Sequence, residues 1–164
     1  MGQRSNAAFD NPLIMDTERP DFGTAQQTKV LIVDDEPDIV EEVVEHLEHE
    51  GLVCLSASNA ASAMKLVEDD PDIGVVVTDI RMPGMDGLEM ASCMKAGLGK
   101  DRDLFVIVVT GHAGMKEAIE ALKIGAEDFL TKPISPDHLL HAVNRAEEMI
   151  QLRHQERNFQ LRLE

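Results

Sequence analysis

Three short β-branched runs, each closed by a polar residue, constrain this chain more than any other feature. Val30 to Val33 (VLIV) ends on Asp34 and Asp35, Val75 to Thr78 (VVVT) on Asp79, and Phe105 to Val109 (FVIVV) on Thr110. A shorter run of Phe129, Leu130 and Thr131 is followed by Lys132. Between these runs the apolar residues recur at helical spacing. Such alternation predicts parallel strands joined by helices, because a strand covered on both faces has no polar side to display. In an open parallel sheet, function gathers beyond the carboxyl ends of the strands. Asp34, Asp35, Asp79, Thr110 and Lys132 are therefore expected to share one pocket.

The composition suits that architecture and narrows the partners. A chain of 164 residues has room for one domain of ordinary size, and with Trp and Tyr absent its core must be built from Val, Ile, Leu, Ala and Met. The net charge of -16 repels a phosphate backbone, so nucleic acid is excluded as a partner of this fragment. No apolar stretch approaches the ~20 residues of a membrane span, and the first residues lack a signal peptide's apolar segment. A cytoplasmic protein that does not engage membranes is expected. Cys54 and Cys93 have no ligand or CxxC spacing and read as reduced packing residues. The start MGQRSN matches the short myristoylation pattern at Gly2, which is too common to decide anything.

Residues 1–28 show no helical or strand period and read as a polar leader. The domain is expected over 29–150. Its first helix starts near Pro37 and stops at Gly51, presenting Ile39, Val40, Val43, Val44 and Leu47 on one side. A second strand follows around Leu52 to Ser56, then a helix capped by Asn59. After the third strand (Ile73 to Thr78) the turn MPGMDG precedes a helix with Leu88, Ala91 and Met94. The fourth strand (Leu104 to Thr110), a helix from Met115 to Ile124, a short strand at Asp128 to Leu130 and a last helix from about Pro136 complete five βα units. This pattern requires a doubly wound α/β sheet. Leu152, Phe159, Leu161 and Leu163 continue beyond the domain, so 151–164 is a helical extension, equally readable as a frayed end or as a linker to a further module.

Three clustered carboxylates repel one another by roughly 4 kcal/mol per pair at 4 Å and an effective dielectric near 20. Either their pKa values rise or a cation sits among them. An all-oxygen site with few protein ligands favours Mg²⁺ over Ca²⁺. A metal, a carboxylate, a lysine and a hydroxyl around one point suit phosphoryl transfer, with a carboxylate oxygen as nucleophile. Asp79 is the best candidate, lying on a central strand between the acid pair and the Thr110/Lys132 side. A single Asp after a strand is most often a helix cap; the whole set in this order is not explained that way.

The segments VLIVDDEPDI, VVVTDIRMPGMDGLE, VIVVTGHAG and GAEDFLTKPIS resemble the receiver domain of two-component response regulators, over about Lys29 to Ile150. The resemblance implies a flavodoxin-like (βα)5 sandwich with strand order 2-1-3-4-5. It implies that Asp79 accepts a phosphoryl group from a histidine kinase or phosphotransfer protein. By the same resemblance Asp34, Asp35, Asp79 and the backbone carbonyl of Arg81 would hold Mg²⁺, Asp34 mostly through a water. Lys132 would contact the phosphoryl oxygens, followed by Pro133 in a cis peptide. Thr110 and Phe129 would be the switch pair, and the last two helices with the strand between them the output and dimerisation face. The final helix offers a second route to a homodimer. Gly111 stands where Ala is commoner, and Arg81 and His112 hold positions that flank the phosphoryl group.

Two other readings differ in class. A phosphatase of the haloacid-dehalogenase type needs a second Asp two residues beyond the nucleophile, where this chain has Arg81. An interaction module that is not phosphorylated, or the regulatory fragment of a larger signalling enzyme, is compatible with the same residues. His46, His49, His138, His141 and His154 lie in no histidine-kinase motif, and Gly97 to Lys100 (GLGK) fails the phosphate-loop pattern.

Overall fold

The computed structural model describes residues 27–99, 101–111 and 114–163. The leader through residue 26 with its Gly2 pattern, Lys100 of the GLGK segment, and His112 lie outside the described residues. Ten elements alternate without interruption: β1 (Lys29–Val33), α1 (Pro37–His49), β2 (Val53–Ala57), α2 (Ala60–Asp69), β3 (Ile73–Asp79), α3 (Gly87–Ala96), β4 (Phe105–Thr110), α4 (Met115–Lys123), β5 (Asp128–Thr131) and α5 (Pro136–Leu163). All strand pairs are parallel, in the order β2-β1-β3-β4-β5. The α/β fold and strand order expected from the sequence are those of the structure.

Burial on both sides explains the β-branched runs. Val30, Ile32, Val75, Val77, Ile107 and Val109 pack under α1 and α5, whereas Leu31, Val33, Val76, Val106 and Val108 pack under α2, α3 and α4. Adjacent residues of one strand thus enter opposite cores, which leaves no place for a polar residue until the strand ends. Most strand boundaries shift by one residue from the expected ones. β3 includes Asp79 because its backbone still pairs with Val109, and β5 includes Thr131 because it pairs with Thr110.

Local chemistry sets the helix ends as read. Pro37 opens α1, where its missing N–H costs no helical bond, and Gly51 closes it at φ +89°. Asn59 and Asp86 cap α2 and α3 by accepting the N–H groups of Ser62 and Glu89, both at 2.8 Å. The Lys132–Pro133 peptide is cis.

The last helix runs through residue 150 without a break. Its continuation is held to the domain by one acid. Asp103, before β4, pairs with Arg153 at 3.6 Å and with Arg157, while Arg157 also donates to the Asp101 carbonyl at 2.8 Å. Arg153 lies 4.9 Å from the centroid of the Phe105 ring, which adds a cation–π contact. Arg153 and Arg157 are therefore the attachment of the extension. A solvent-facing row of Met149, Leu152, Phe159 and Leu163 remains exposed.

Neither cysteine is in a disulfide. Cys54 is half-buried on β2, and burial, with smaller contributions from Glu48 and Glu147, pushes its thiol up to about 11. Cys93 is exposed on α3.

Replacing Asp103 by Ala should free the extension. Hydrogen exchange of the amides in 151–163 should quicken markedly, while global stability in urea falls by about 1 kcal/mol, the upper end of the range for exposed ion pairs, because the Asp103 side chain is only 12% exposed. Unchanged exchange would show that helix propensity alone holds the segment. At about pH 8, iodoacetamide should alkylate Cys93 at least about tenfold faster than Cys54, since the thiolate is the reactive form; peptide mass spectrometry reads the two sites separately.

Candidate functional site

The ends of β1 and β3 bring their acids together. Asp34 and Asp79 are 5% and 8% exposed, Asp35 is exposed, and each offers a carboxylate oxygen within 4.8 Å of the others. Parallel pairing of β1 with β3 forces the proximity, since Val33 lies beside Thr78 and the acids follow both. The three side chains share one mouth because each leaves its strand at the same end of the sheet.

A cation from the other side of the sheet enters this cluster. Lys132, one residue past β5, places its ammonium 3.1 Å from Asp79 Oδ2 and 3.2 Å from Asp34 Oδ2. Burial pulls the lysine pKa down, but the hydrogen bonds that its ammonium donates to Asp79 and Asp34, with the charges of those acids, outweigh this and hold it above the ordinary value. For a base the sign is simple: the stabilisation is complete below the unfolded pKa and is lost only as pH rises through the folded one. Lys132 therefore neutralises part of the acid charge throughout the physiological range.

The remaining candidates are arranged around this centre. Thr110 is buried at the end of β4, where its carbonyl accepts the Lys132 N–H at 2.9 Å. The Arg81 N–H faces Asp79 Oδ1 at 3.4 Å, and the Asp34 side chain accepts the Glu36 N–H at 3.0 Å. Phe129 lies beside Val108 on β5 and packs, partly buried, against the core under α2, α3 and α4. It is not part of the acidic mouth. The guanidinium of Arg81 pairs with Glu117 of α4 at 3.4 Å.

The donor set fits a hard divalent ion. Three carboxylate oxygens within 4.8 Å, one acid exposed to solvent, match a site that takes few protein ligands and keeps waters. Lys132 contacts Asp34 and Asp79, whereas Asp35 has no ion pair among the described residues. The lysine thus balances only part of the cluster.

Sequence reading missed two residues of this region. Gly87 is obligatory: a Cβ there would lie 1.9 Å from the Asp79 carbonyl oxygen and 2.9 Å from Thr78 Oγ1, and its N–H donates to the Ile80 carbonyl at 2.8 Å. The loop after Asp79 closes against the strand because this position has no side chain. Glu117 was also missed; its third position after Gly114 is a recognisable helix-start signal, and it accepts the Gly114 N–H at 3.2 Å.

Residues 30–144 match the family model described as response regulator receiver domain. The chain belongs to the response regulator receiver family. The chain is 35% identical over 130 residues to the two-component response regulator PprB of Pseudomonas aeruginosa, covering 79% of this chain and 47% of that one. With the transcriptional regulatory protein FixJ of Azorhizobium caulinodans the identity is 37% over 114 residues, covering 70% and 52%. The chain spans about half or less of such receiver-containing relatives, falling to 29% of the C4-dicarboxylate transport regulator DctD of P. aeruginosa.

Solved receivers superpose over most of their length. A CheY-like receiver domain protein from Methanospirillum hungatei gives a TM-score of 0.71 at 26% identity, covering 77% of this chain and 98% of that one. The beryllofluoride-activated NtrC4 receiver domain dimer gives 0.68 at 34% identity, covering 74% and 98%. As a receiver, the chain is a signalling domain. No helix among the described residues is long and apolar enough to cross a membrane.

Gly87→Ala should displace the loop from Asp79 and cost about 1–3 kcal/mol, the range for forcing an atom into a packed site. Urea unfolding monitored by circular dichroism measures it; a loss below about 0.5 kcal/mol would mean that the loop yields freely.

Proposed function

We propose that this receiver is a phosphoryl-accepting switch whose acceptor is Asp79. One observation carries the reading: the Asp79 carboxylate lies 3.1 Å from the Lys132 ammonium and within 4.8 Å of oxygens from Asp34 and Asp35, at the end of a central strand. An Asp79 oxygen attacks the phosphorus of a phosphohistidine on a histidine kinase or phosphotransfer protein. The P–N bond breaks, the imidazole nitrogen keeps the electron pair, and an acyl phosphate remains on Asp79. Lys132 holds phosphoryl oxygens by a charge-assisted bond. Asp34, Asp35, Asp79 and the Arg81 carbonyl would hold Mg²⁺, which when bound neutralises charge on the transferring group.

Transmission starts at the adjacent strand. The buried Thr110 hydroxyl turns toward the phosphoryl group and Phe129 follows it inward. The surface of α4, β5 and α5 then changes to control a partner, a second copy or an output domain. Moving such a switch from 1:99 to 99:1 takes about 5.5 kcal/mol of differential stabilisation, within reach of several charge-assisted contacts. Exposed Met115, Ile119 and Leu122 on α4 support that face as a homodimer contact, and the apolar row on α5 supports the second route. Attachment of the receiver to an output module beyond α5, and action in the cytoplasm, complete the proposal.

Incubation with acetyl phosphate and Mg²⁺ should raise the intact mass by one phosphoryl group, and Asp79→Asn should abolish the adduct. Removal of Mg²⁺ with a chelator should slow its formation by more than about tenfold, a loss of at least ~1.4 kcal/mol of barrier stabilisation. A parent that takes no adduct, indistinguishable from Asp79→Asn, would favour an interaction module that is not phosphorylated.

A further inference from the structure

One ion pair at the rim of the site has a consequence beyond the Thr110/Phe129 route. Arg81 touches two systems at once. Its backbone N–H faces the Asp79 carboxylate at 3.4 Å, while its guanidinium lies 3.4 Å from Glu117 Oε1 in the first turn of α4. The second Glu117 oxygen accepts the N–H of Gly114, the residue that starts the helix. The same carboxylate therefore orders the start of α4 and ties it to the loop after β3.

We propose that Arg81 exchanges partners when Asp79 is phosphorylated, leaving Glu117 for the phosphoryl oxygens and releasing the first turn of α4 from the loop after β3. The inference rests on Asp79 being the phosphoacceptor. Three features set its direction. The Arg81–Glu117 pair is exposed on the arginine side, at 62%, so water screens it and little is lost when it opens. A phosphoryl group carries more charge than a carboxylate and presents three acceptor oxygens to a planar fork of donors. Arg81 is two residues from Asp79, so the loop itself supplies the reach.

The receiving element is suited to respond. Among the described residues of α4 only Ala121 is buried, and Met115, Ile119 and Leu122 face solvent. A helix with so small a buried face has little apart from its first-turn contacts to fix its N-terminal end. Loss of the Arg81 tether thus moves or loosens the end that carries Met115 and Ile119. Glu117 acts through Arg81: it is a positioning residue, and it competes with the phosphoryl group for the same guanidinium.

The test uses the full chain with Mg²⁺ and beryllofluoride, bound fluoride being followed by ¹⁹F NMR in the parent, Arg81→Gln, Glu117→Gln and the double variant. The Arg81 backbone carbonyl is retained in all of them, and equal urea midpoints check that the variants fold. Glu117→Gln should tighten beryllofluoride binding, by up to about fivefold for an exposed pair. Arg81→Gln should weaken it, and in the Arg81→Gln background the Glu117 substitution should have no effect. Amide exchange over 114–118 should rise on beryllofluoride binding in the parent and be already raised in Glu117→Gln. Tightening that persists without Arg81, or its absence in Glu117→Gln alone, overturns the exchange. A parent that binds no more beryllofluoride than Asp79→Asn overturns the phosphoacceptor reading as well, so the two failures are distinct.

Discussion

The structure depends on a charge problem solved at the ends of its strands. Three acids approach within 4.8 Å because parallel pairing sends them the same way, and Lys132 reaches two of them across the sheet. Removing either partner of a buried pair leaves an uncompensated charge, which is far costlier than the pair is favourable. Acids and lysine are thus mutually dependent. The hydrophobic sheet brings them together, and their attraction in turn closes β5 and its loop over the mouth. Because the lysine addresses Asp34 and Asp79 but not Asp35, the cluster keeps an excess of negative charge. That residual charge suits the mouth to a hard cation.

The sheet was legible because burial on both faces writes itself into sequence. Val30 to Val33 and Phe105 to Val109 can be continuous only if alternate residues enter two cores, and their polar ends then mark the functional edge. Asp34, Asp35, Asp79 and Lys132 followed from that edge. Helix ends were legible wherever a single residue sets them, as at Pro37, Asn59 and Gly51. What sequence could not supply were contacts between distant segments. Gly87 looked like one more turn residue, yet its importance lies in the 1.9 Å that a Cβ would leave to the Asp79 carbonyl. Arg153 and Arg157 carry no local signal of their role, since nothing in sequence links them to Asp103 some fifty positions earlier. Arg81 was singled out for its distance from Asp79, but Glu117 lies 36 residues away and no period connects them.

The attachment of α5 gives β4 a double role. Its carboxyl end carries Thr110, whose carbonyl receives the Lys132 N–H, while Phe105 at its amino end lies against Arg153, two residues after Asp103. One strand therefore joins the site to the base of the helical extension. With Val106, Ile107, Val108 and Val109 all buried, β4 is held in a close-packed core that has no void into which a strand can relax. The extension is consequently a continuation of the domain and not a loose tail, and its apolar row keeps a defined orientation relative to α4 and β5.

Two routes out of one site need not carry the same information. In the proposed switch a buried hydroxyl such as Thr110 would move within a packed interior, so its response would be tied to the core. The Arg81–Glu117 pair is solvent-facing, so its strength falls with ionic strength while the Thr110 route is little affected. On the proposed reading the two contributions to α4 differ in their response to salt: contacts of the solvent-facing guanidinium are screened, whereas those inside the core are not. A receiver with a net charge of -16 makes the distinction sharper, since a single rim cation such as Arg81 sits in a strongly anionic field. That field also opposes the arrival of another anion. The local cations Lys132 and Arg81 must therefore supply, at short range, the attraction that the molecule as a whole withholds.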